Sequence, residues 1–515
     1  MGQQPHYWWE RRTTVLLLVL LSTIPLLWPV VPPLVDLPGH MGRYRVQLDH
    51  DQSAALRAFY GFKWSLIGNL GVDLLIIPMS KIFGLELATK LIAISIPAMT
   101  VAGLLWITRE VHGRVPPTAL FALPLAYGHP FLFGFINFAL SMALALLAFA
   151  LWLRLARLGH LKLRAALFVV IGPLLWITHT FGWGTLGVLA FSAELIRQHD
   201  KGQPWVRAIF WAGIHCLSLA PPILLMLLWR SGQVGGRTTD WFNWTRKGEY
   251  LVETLRDRYK LYDQLSLAPF AAIVLYGLFS RHAETSRNLR ASALFLIAAF
   301  IFLPRIVFGS AYADMRLTPY MIAIAVIAVR MRPSAHPKVM QAIALVGMVF
   351  FTSRIASTTL SFAKASREAN TALAALDHVP VDARLITFVG DSCRKIWPLS
   401  RMSHISGMAI VRRQAFSNDQ WDMAGAQLLT ILKTDAIGFR GDPSQVVTAE
   451  RCRTDKWRPL GWSLMNFPRE AYDYVWLVQP PRFDPAGLRG LTLIWSGGPN
   501  ALYRVDDRTP LKPAP

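Results

Sequence analysis

Long stretches without charge constrain the fold of this chain more than any other feature. Residues 13–31 carry no charged side chain, and eleven further apolar segments follow. About 20 apolar residues are needed for a helix to cross the hydrocarbon core of a bilayer. We therefore expect a mainly α, polytopic helical membrane protein. The further segments are 65–83, 89–108, 116–133, 136–153, 165–180, 181–196, 205–229, 267–280, 291–308, 318–330 and 338–353.

The composition agrees with a membrane protein and excludes several other classes. Hydrophobic residues make up 53% of the 515 residues and charged residues only 16%, against roughly 25% in soluble domains. The net charge of +22 falls in short basic clusters between apolar segments. Such clusters hold loops on the cytoplasmic side of a membrane. No nucleic-acid-binding motif accompanies them, so we expect no nucleic-acid partner.

The basic clusters also predict a topology. Arg11 and Arg12 precede the first apolar segment and place the N-terminus in the cytoplasm, with no cleavage pattern after the segment. Clusters at 154–164, 281–290 and 330–338 place the region after 354 outside. Twelve crossings would instead put the N-terminus and the region after 354 on the same side of the membrane. We therefore expect segment 65–83, which polar residues interrupt, not to cross, and predict eleven spans within a range of 11–13.

The chain is expected to have two domains. Residues 1–357 form the membrane domain, with external loops at 32–64 and 230–265, and residues 358–515 form a small external α/β domain. In the latter, RLITFVG and YDYVWLVQP are typical of strands, and LTLIWSGG with ALYRVDD is typical of a hairpin. Cys393 and Cys452 lie there; they pair if the domain is periplasmic and stay free thiols if it is cytoplasmic.

The first external loop contains the most informative polar residues. Asp36 follows the first apolar segment, and His40 and Arg43 share a face with each other if LPGHMGRYRV is helical. The carboxylate would accept a proton from a hydroxyl, and the guanidinium would hold a phosphate. The alternative is structural, because Asp36 precedes Pro38 and Asp is a favoured helix N-cap.

A second group of polar residues lies at the external ends of later segments. Asp314 and Arg316, with Tyr312 beside them and Arg305 nearby, would neutralise a phosphate leaving group. Alternatively, Asp314 and Arg316 form a local pair that closes a tight loop. His179 either lines a cavity or hydrogen-bonds to a neighbouring helix.

In organisation the chain resembles membrane glycosyltransferases of the GT-C superfamily. The resemblance rests on one span followed by a polar external loop that opens with an acidic residue, on the stretches NLGVDLLIIPMSKIFGLELATKLIA, FGFINFALSMALAL and WITHTFG, and on a terminal external domain that closes with ALYRV. Superfamily members transfer a sugar from a polyprenyl-phosphate carrier to a lipid, glycan or protein acceptor at the outer face, usually with inversion.

The resemblance assigns roles to residues of this chain. It implies Asp36 as the base, with Asp49 and Asp51 as second choices, and His40 and Arg43 as phosphate-binding or supporting groups. VDLPGH carries one carboxylate where the superfamily has an acidic pair, which leaves metal dependence open. No metal-ligand spacing is present in the sequence, and we expect no cofactor.

Two other functions remain open at this stage. Many apolar segments with few polar residues also suit a lipid or glycan transporter or flippase. A non-catalytic component of envelope polysaccharide assembly would keep the fold without the activity. In every case the expected partners include membrane lipids. The expected location is the bacterial inner membrane, with multiple spans and a periplasmic C-terminal domain.

Overall fold

The computed structural model describes residues 7–233, 237–307, 309–423, 427–453 and 457–511. Two compact units emerge from the contacts within the chain. The helical unit comprises Met1–Trp28, Leu66–Val72 and Leu91–Ser361, and the sheet unit comprises Pro29–Ser65, Asp73–Lys90 and Phe362–Pro515. The predicted first external loop therefore belongs to the same unit as the C-terminal residues. The sequence instead predicts two domains that are each continuous in the chain, with one boundary after residue 357.

Helices account for most of the described chain. They are α1 (Arg12–Leu21), α2 (Leu37–Asp49), α3 (Ala54–Phe59), α4 (Gly71–Phe83), α5 (Leu85–His112), α6 (His129–Leu132), α7 (Ile136–Arg157), α8 (Leu161–Thr178), α9 (Thr180–Asp200), α10 (Trp205–Cys216), α11 (Pro221–Gln233), α12 (Trp244–Val252), α13 (Lys260–Leu265), α14 (Ala268–Phe279), α15 (Arg287–Phe302), α16 (Thr318–Ile327), α17 (Pro337–Leu373), α18 (Gly407–Arg413) and α19 (Leu460–Asn466).

Five helical stretches in the described residues are long and apolar enough to cross a membrane. They are Leu85–His112, Ile136–Arg157, Leu161–Thr178, Lys260–Phe279 and Pro337–His378. A sixth would be the pair Trp205–Leu219 and Pro221–Leu227, which is bent by 64°. Arg12–Leu26 and Met315–Ile327 are shorter apolar helices. The chain is thus a polytopic helical membrane protein as predicted, while the number of eleven spans stays a prediction.

The structure corrects one expectation about an apolar segment. Segment 116–133 is not one α-helix, because Pro117–Tyr127 is a 3-10 helix that precedes α6. Pro117 and Pro124 lack the backbone N–H that an α-helix uses. The predicted loop 230–265 includes residues 234–236, and the predicted segment 291–308 ends at Phe308; these residues lie outside the described ones.

The sheet unit contains a six-stranded mixed sheet and one small antiparallel pair, and the helical unit contains a second such pair. The strands are β1 (Tyr60–Phe62), β2 (Ala283–Thr285), β3 (Val329–Met331), β4 (Leu385–Gly390), β5 (Leu429–Ile431), β6 (Val446–Thr448), β7 (Arg458–Pro459), β8 (Tyr474–Val478), β9 (Leu491–Gly497) and β10 (Asn500–Val505). The sheet order is β7-β6-β4-β8-β10-β9, with the first four strands parallel and the last two antiparallel. The two pairs are β1 with β5 and β2 with β3. The predicted strands and the C-terminal hairpin are confirmed.

The core of the sheet unit explains why its central strands are so apolar. Ile386 and Phe388 of β4 and Val475 and Leu477 of β8 are fully buried or nearly so. Parallel strands covered on both faces show continuous hydrophobic sequence. Tyr60 of β1 packs into the same core, which attaches the first external loop to the sheet unit. Cys393 and Cys452 form a disulfide, so the paired alternative is the one that the structure contains.

Candidate active site

Asp36 stands at the start of α2, but its side chain does not cap that helix. Pro38 occupies the first turn, and the Asp36 side chain accepts no capping hydrogen bond from the backbone. Its Oδ1 atom instead lies 3.8 Å from Nε2 of His404. Asp36 is thus the N-cap residue of α2, as the structural alternative predicts, but it makes no side-chain capping hydrogen bond. Its role as a base stays a prediction.

His404 is surrounded by three carboxylates, and we call this group of four residues the His404 cluster. Nε2 of His404 lies 3.8 Å from Asp36 and 3.9 Å from Oδ1 of Asp442, and Nδ1 lies 4.0 Å from Oδ2 of Asp419. These distances are longer than a hydrogen bond. The cluster thus gathers one imidazole and three carboxylates in the sheet unit, and both kinds of group serve as acids and bases in enzymes.

Asp419 is the most buried carboxylate of the His404 cluster. Its Oδ1 accepts hydrogen bonds from Ser417 at 3.0 Å and Gln420 at 3.2 Å. Within the described residues, its Oδ2 and Nδ1 of His404 have no hydrogen-bond partner. Burial raises the pKa of the Asp419 carboxyl above its usual range, against the opposing effect of His404. A buried polar pair without partners is costly, and such pairs occur at functional sites.

Glycines explain how α2 and α18 bring the cluster together. A Cβ on Gly39 would lie 2.8 Å from the Trp421 ring, and a Cβ on Gly407 would lie 2.3 Å from the Pro38 carbonyl oxygen. Only glycine permits this approach of the two helices. His404 lies three residues before α18. The close packing therefore carries it to the N-terminal end of α2.

His40 lies one turn after Asp36, as predicted. Its ring contacts Trp421 with centroids 5.0 Å apart, and Trp421 contacts His404 at 4.4 Å. Burial lowers the pKa of His40 well below 6.5, helped by the charge of Arg43 and by His404. Its Nδ1 is buried without a hydrogen-bond partner among the described residues. His40 is therefore a neutral imidazole beside the cluster.

Arg43 and Asp49 are engaged elsewhere on α2. The Arg43 guanidinium is 1% exposed and lies 3.0 Å from Asp73, and it donates to Gln427 at 2.8 Å. Asp49 accepts from Arg45 at 2.7 Å in a half-buried helical pair. Both have the contacts of structural residues. Their predicted roles toward substrate are untested.

In the helical unit, the structure brings His179 and Arg316 together. His179 caps α9 by accepting from the Phe181 backbone N–H through Nδ1 at 3.2 Å. Its Nε2 lies 3.4 Å from Arg316. The Arg316 guanidinium lies 4.4 Å from the Phe135 ring centroid and 5.6 Å from that of Phe138. His179 thus contacts a neighbouring helical turn through Arg316, in agreement with one of the two predicted alternatives. That it lines a cavity stays a prediction.

The remaining predicted residues of the helical unit have other partners. Asp314 does not pair with Arg316; its carboxylate lies 2.9 Å from Nζ of Lys247, which also donates to two backbone carbonyls at the end of α15. Arg305 pairs with Asp240. Tyr312 has a positive φ of 64° and packs on Phe133 with centroids 5.4 Å apart. The local Asp–Arg pair expected in this loop is therefore wrong.

Sequence reasoning missed Asp419 and Asp442 of the His404 cluster, and it missed Trp421 beside the cluster. Asp419 and Trp421 stand in the stretch SNDQWD, and Asp442 stands in GDP. The sequence analysis gave them no role, since no spacing links them to Asp36. The acidic and aromatic composition of SNDQWD is the signal that was available. Nothing in the described residues forms a group of three side chains able to hold a metal ion.

Comparison with known proteins gives a likeness of fold and no match of sequence. No protein-family model and no curated protein matches the chain. The fold is similar to that of ArnT from Cupriavidus metallidurans, crystallised with bound undecaprenyl phosphate. The two share 10% sequence identity and a TM-score of 0.48 over 98% of this chain and 99% of that one. At that TM-score the likeness carries no argument about activity.

Proposed function

We propose that this chain is a membrane glycosyltransferase. It transfers a sugar from a polyprenyl-phosphate carrier to a lipid, glycan or protein acceptor, and Asp36 is the base. The observation that carries the proposal is the contact between the Asp36 carboxylate and His404, 3.8 Å apart, inside a cluster with two more carboxylates. The resemblance of the sequence organisation to GT-C glycosyltransferases supports the same assignment.

The proposed reaction is a single displacement. The Asp36 carboxylate accepts the proton of an acceptor hydroxyl, and the hydroxyl oxygen attacks the anomeric carbon of the sugar. The bond between that carbon and the carrier phosphate oxygen breaks, and the carrier leaves as polyprenyl phosphate. Attack opposite the leaving group inverts the anomeric carbon. All the bonding electrons of the broken bond leave with the phosphate.

His404 gives the proton a destination after transfer. Asp442 and Asp419 flank the two ring nitrogens of His404. Its Nε2 lies 3.8 Å from Asp36, and a small shift of either side chain brings the two groups within hydrogen-bond distance. The base is thereby returned to its ionised form for the next turnover.

Arg316 is the proposed ligand of the carrier phosphate. Aromatic rings of Phe135, Phe138 and Phe181 flank its guanidinium and hold the planar donor fork in one orientation. His179 contacts the same group. Arg43 and Arg305 are each ion-paired with a carboxylate and are proposed as further phosphate ligands. Asp49, Tyr312 and Asp314 are proposed as substrate contacts. His40 is proposed to support the cluster.

The proposed orientation has the N-terminus in the cytoplasm and the sheet unit on the external side of a bacterial inner membrane. Arg11 and Arg12 before the first apolar segment support it. The disulfide between Cys393 and Cys452 also supports it, because such bonds persist in oxidising compartments.

A comparison of glycans in cells tests the function. Cells with no copy, the wild-type chain, Asp36→Asn or Asp51→Asn would be matched for protein level, and their lipid-linked and surface glycans measured by mass spectrometry. Asp51 is the comparison, because it is a second-choice base of the same loop and its side chain is fully exposed.

We expect one sugar to be missing without the protein and with Asp36→Asn, and restored by wild type and Asp51→Asn. Full restoration by Asp36→Asn would refute its role as base. Identical glycans in cells with and without the protein, together with glycan flux in sealed vesicles, would favour the transporter interpretation instead.

A further inference from the structure

The sheet unit contains a cavity that shares one residue with the His404 cluster. Its volume is about 330 Å³, within the size range of small-molecule sites, about 300–1,000 Å³. Polar lining residues are Gln420, Asp422, Arg440, Asp442, Ser444 and Arg458. We propose that this cavity binds a carbohydrate ring of the acceptor, an inference that rests on the proposed transferase function.

The balance of charge favours a neutral, hydroxyl-rich ligand. Two carboxylates, Asp422 and Asp442, and two guanidinium groups, Arg440 and Arg458, line the cavity. Their formal charges cancel, so a phosphate would meet repulsion as well as attraction. A sugar hydroxyl both donates and accepts, so carboxylates and guanidinium groups can bind neighbouring hydroxyls of one ring.

Two of these charged groups are held in place before any ligand arrives. The Arg458 guanidinium lies 4.8 Å from the Phe439 ring centroid and 5.0 Å from that of Trp462, and it donates to the Gly438 carbonyl at 2.9 Å. Asp422 accepts from the Ile431 backbone N–H at 3.3 Å. Groups that are fixed in advance lose less conformational entropy when they bind a ligand.

Asp442 connects the cavity to the proposed chemistry. Its Oδ1 accepts from Gln445 at 2.8 Å and lies 3.9 Å from Nε2 of His404. Only the Asp442 carboxylate would therefore separate a hydroxyl bound to Asp442 from the His404 imidazole, which contacts Asp36. The cavity thus places an acceptor ring near His404, the residue that contacts the proposed base.

Binding of sugars to the full-length protein in lipid nanodiscs tests the inference without requiring transfer. The probes are methyl glucoside, methyl galactoside, methyl mannoside and methyl N-acetylglucosaminide, observed by saturation-transfer difference NMR. The variants are Asp422→Asn and Arg440→Ala. Arg482→Ala is the matched control, because Arg482 is an exposed arginine of the same unit that does not line the cavity.

We expect at least one glycoside to bind to wild type, about tenfold more weakly to each cavity variant, and unchanged to Arg482→Ala. Absence of binding by all four glycosides, or unchanged binding in both cavity variants, would overturn the inference. Displacement of the sugar by millimolar inorganic phosphate would also contradict it.

The inference and the transferase function fail separately in this design. Glycoside binding by a protein without transfer activity would refute the function and leave the cavity as a sugar site. Transfer activity without glycoside binding would refute the cavity alone. Asp36→Asn is expected to retain glycoside binding, because Asp36 does not line the cavity.

Discussion

The Asp36 carboxylate lies 3.8 Å from the imidazole of His404, although one residue precedes α2 and the other precedes α18. The contact exists because Gly39 and Gly407 let the ends of the two helices approach closely. Asp36, an acidic residue of the first loop, thereby becomes part of the His404 cluster.

Replacing His404 should impair transfer more than folding. His404→Gln retains a polar side chain of similar length but cannot accept a proton from Asp36. We expect kcat to fall roughly 100-fold or more, within the range of about 100- to 10,000-fold for a positioned proton-transfer group. The acceptor KM should change little, so the loss should appear in kcat alone. An unchanged kcat would show that His404 is structural.

Adding one methyl group at Gly407 should disturb the approach of the helices. In Gly407→Ala the new Cβ would lie 2.3 Å from the Pro38 carbonyl oxygen, so the backbone must shift. Overpacking of this kind costs about 1–3 kcal/mol, and we expect both thermal stability and transfer activity to fall. Gly461→Ala is the control: its Cβ meets nothing within 4 Å inside α19, so stability should be unchanged or higher. Equal melting temperatures for both variants would contradict the packing argument.

Removing one partner of the ion pair between Arg43 and Asp73 should strongly destabilise the sheet unit. Both side chains are almost fully buried, at 1% and 0% exposure. Removing one partner leaves an uncompensated buried charge, so Arg43→Met should lower the unfolding free energy by about 3–5 kcal/mol.

The double variant Arg43→Met with Asp73→Leu provides the comparison. It should recover much of the lost stability, since no charge is then left buried without its partner. Thermal unfolding in one detergent measures all three proteins. Additive losses in the double variant would show that the two residues act independently.

His40 should make stability depend on pH. The pKa of His40 in the folded protein is well below 6.5 because the ring is buried, so the unfolded chain binds more protons at mildly acidic pH. Stability from the neutral ring is therefore fully present above about pH 6.5 and is lost as the pH falls below it. His40→Gln should reduce this loss by up to about 1.4 kcal/mol per pH unit.

Unfolding of wild type and His40→Gln between pH 8 and pH 5 measures the effect. His378→Gln, at an exposed position of the same unit, is the control. A wild-type stability that falls no faster than that of His40→Gln over this range would contradict the buried neutral ring.

The sequence predicted the elements whose signal is local. The helical membrane class, strands β4 and β8 and the terminal hairpin follow from apolar runs, alternation and a Gly-Gly-Pro-Asn turn. Segment 116–133 was misjudged because hydropathy does not register the missing N–H groups of its prolines. Short helices such as α16 are apolar but do not reach the length of a single span.

Only the residues of the candidate site that lie in the first loop were predictable from the sequence. Asp36 and His40 were found because they lie close together in sequence beside an apolar segment. Asp419, Trp421 and Asp442 were not, because tertiary contacts alone bring them to α2. The partners of Arg43 and Asp314 were likewise set by residues distant in sequence, Asp73 and Lys247. Arg43 and Asp314 each had an oppositely charged residue that lies nearer in the sequence as a candidate partner.

The release of carrier by purified protein tests the central claim most directly. Wild-type chain, Asp36→Asn and Asp51→Asn in nanodiscs would be incubated with the lipid extract of cells that lack the protein. Mass spectrometry would then quantify free polyprenyl phosphate. We predict that wild type and Asp51→Asn release it with loss of one sugar-linked carrier, and that Asp36→Asn does not. Equal release by Asp36→Asn, or none by wild type, would contradict the account.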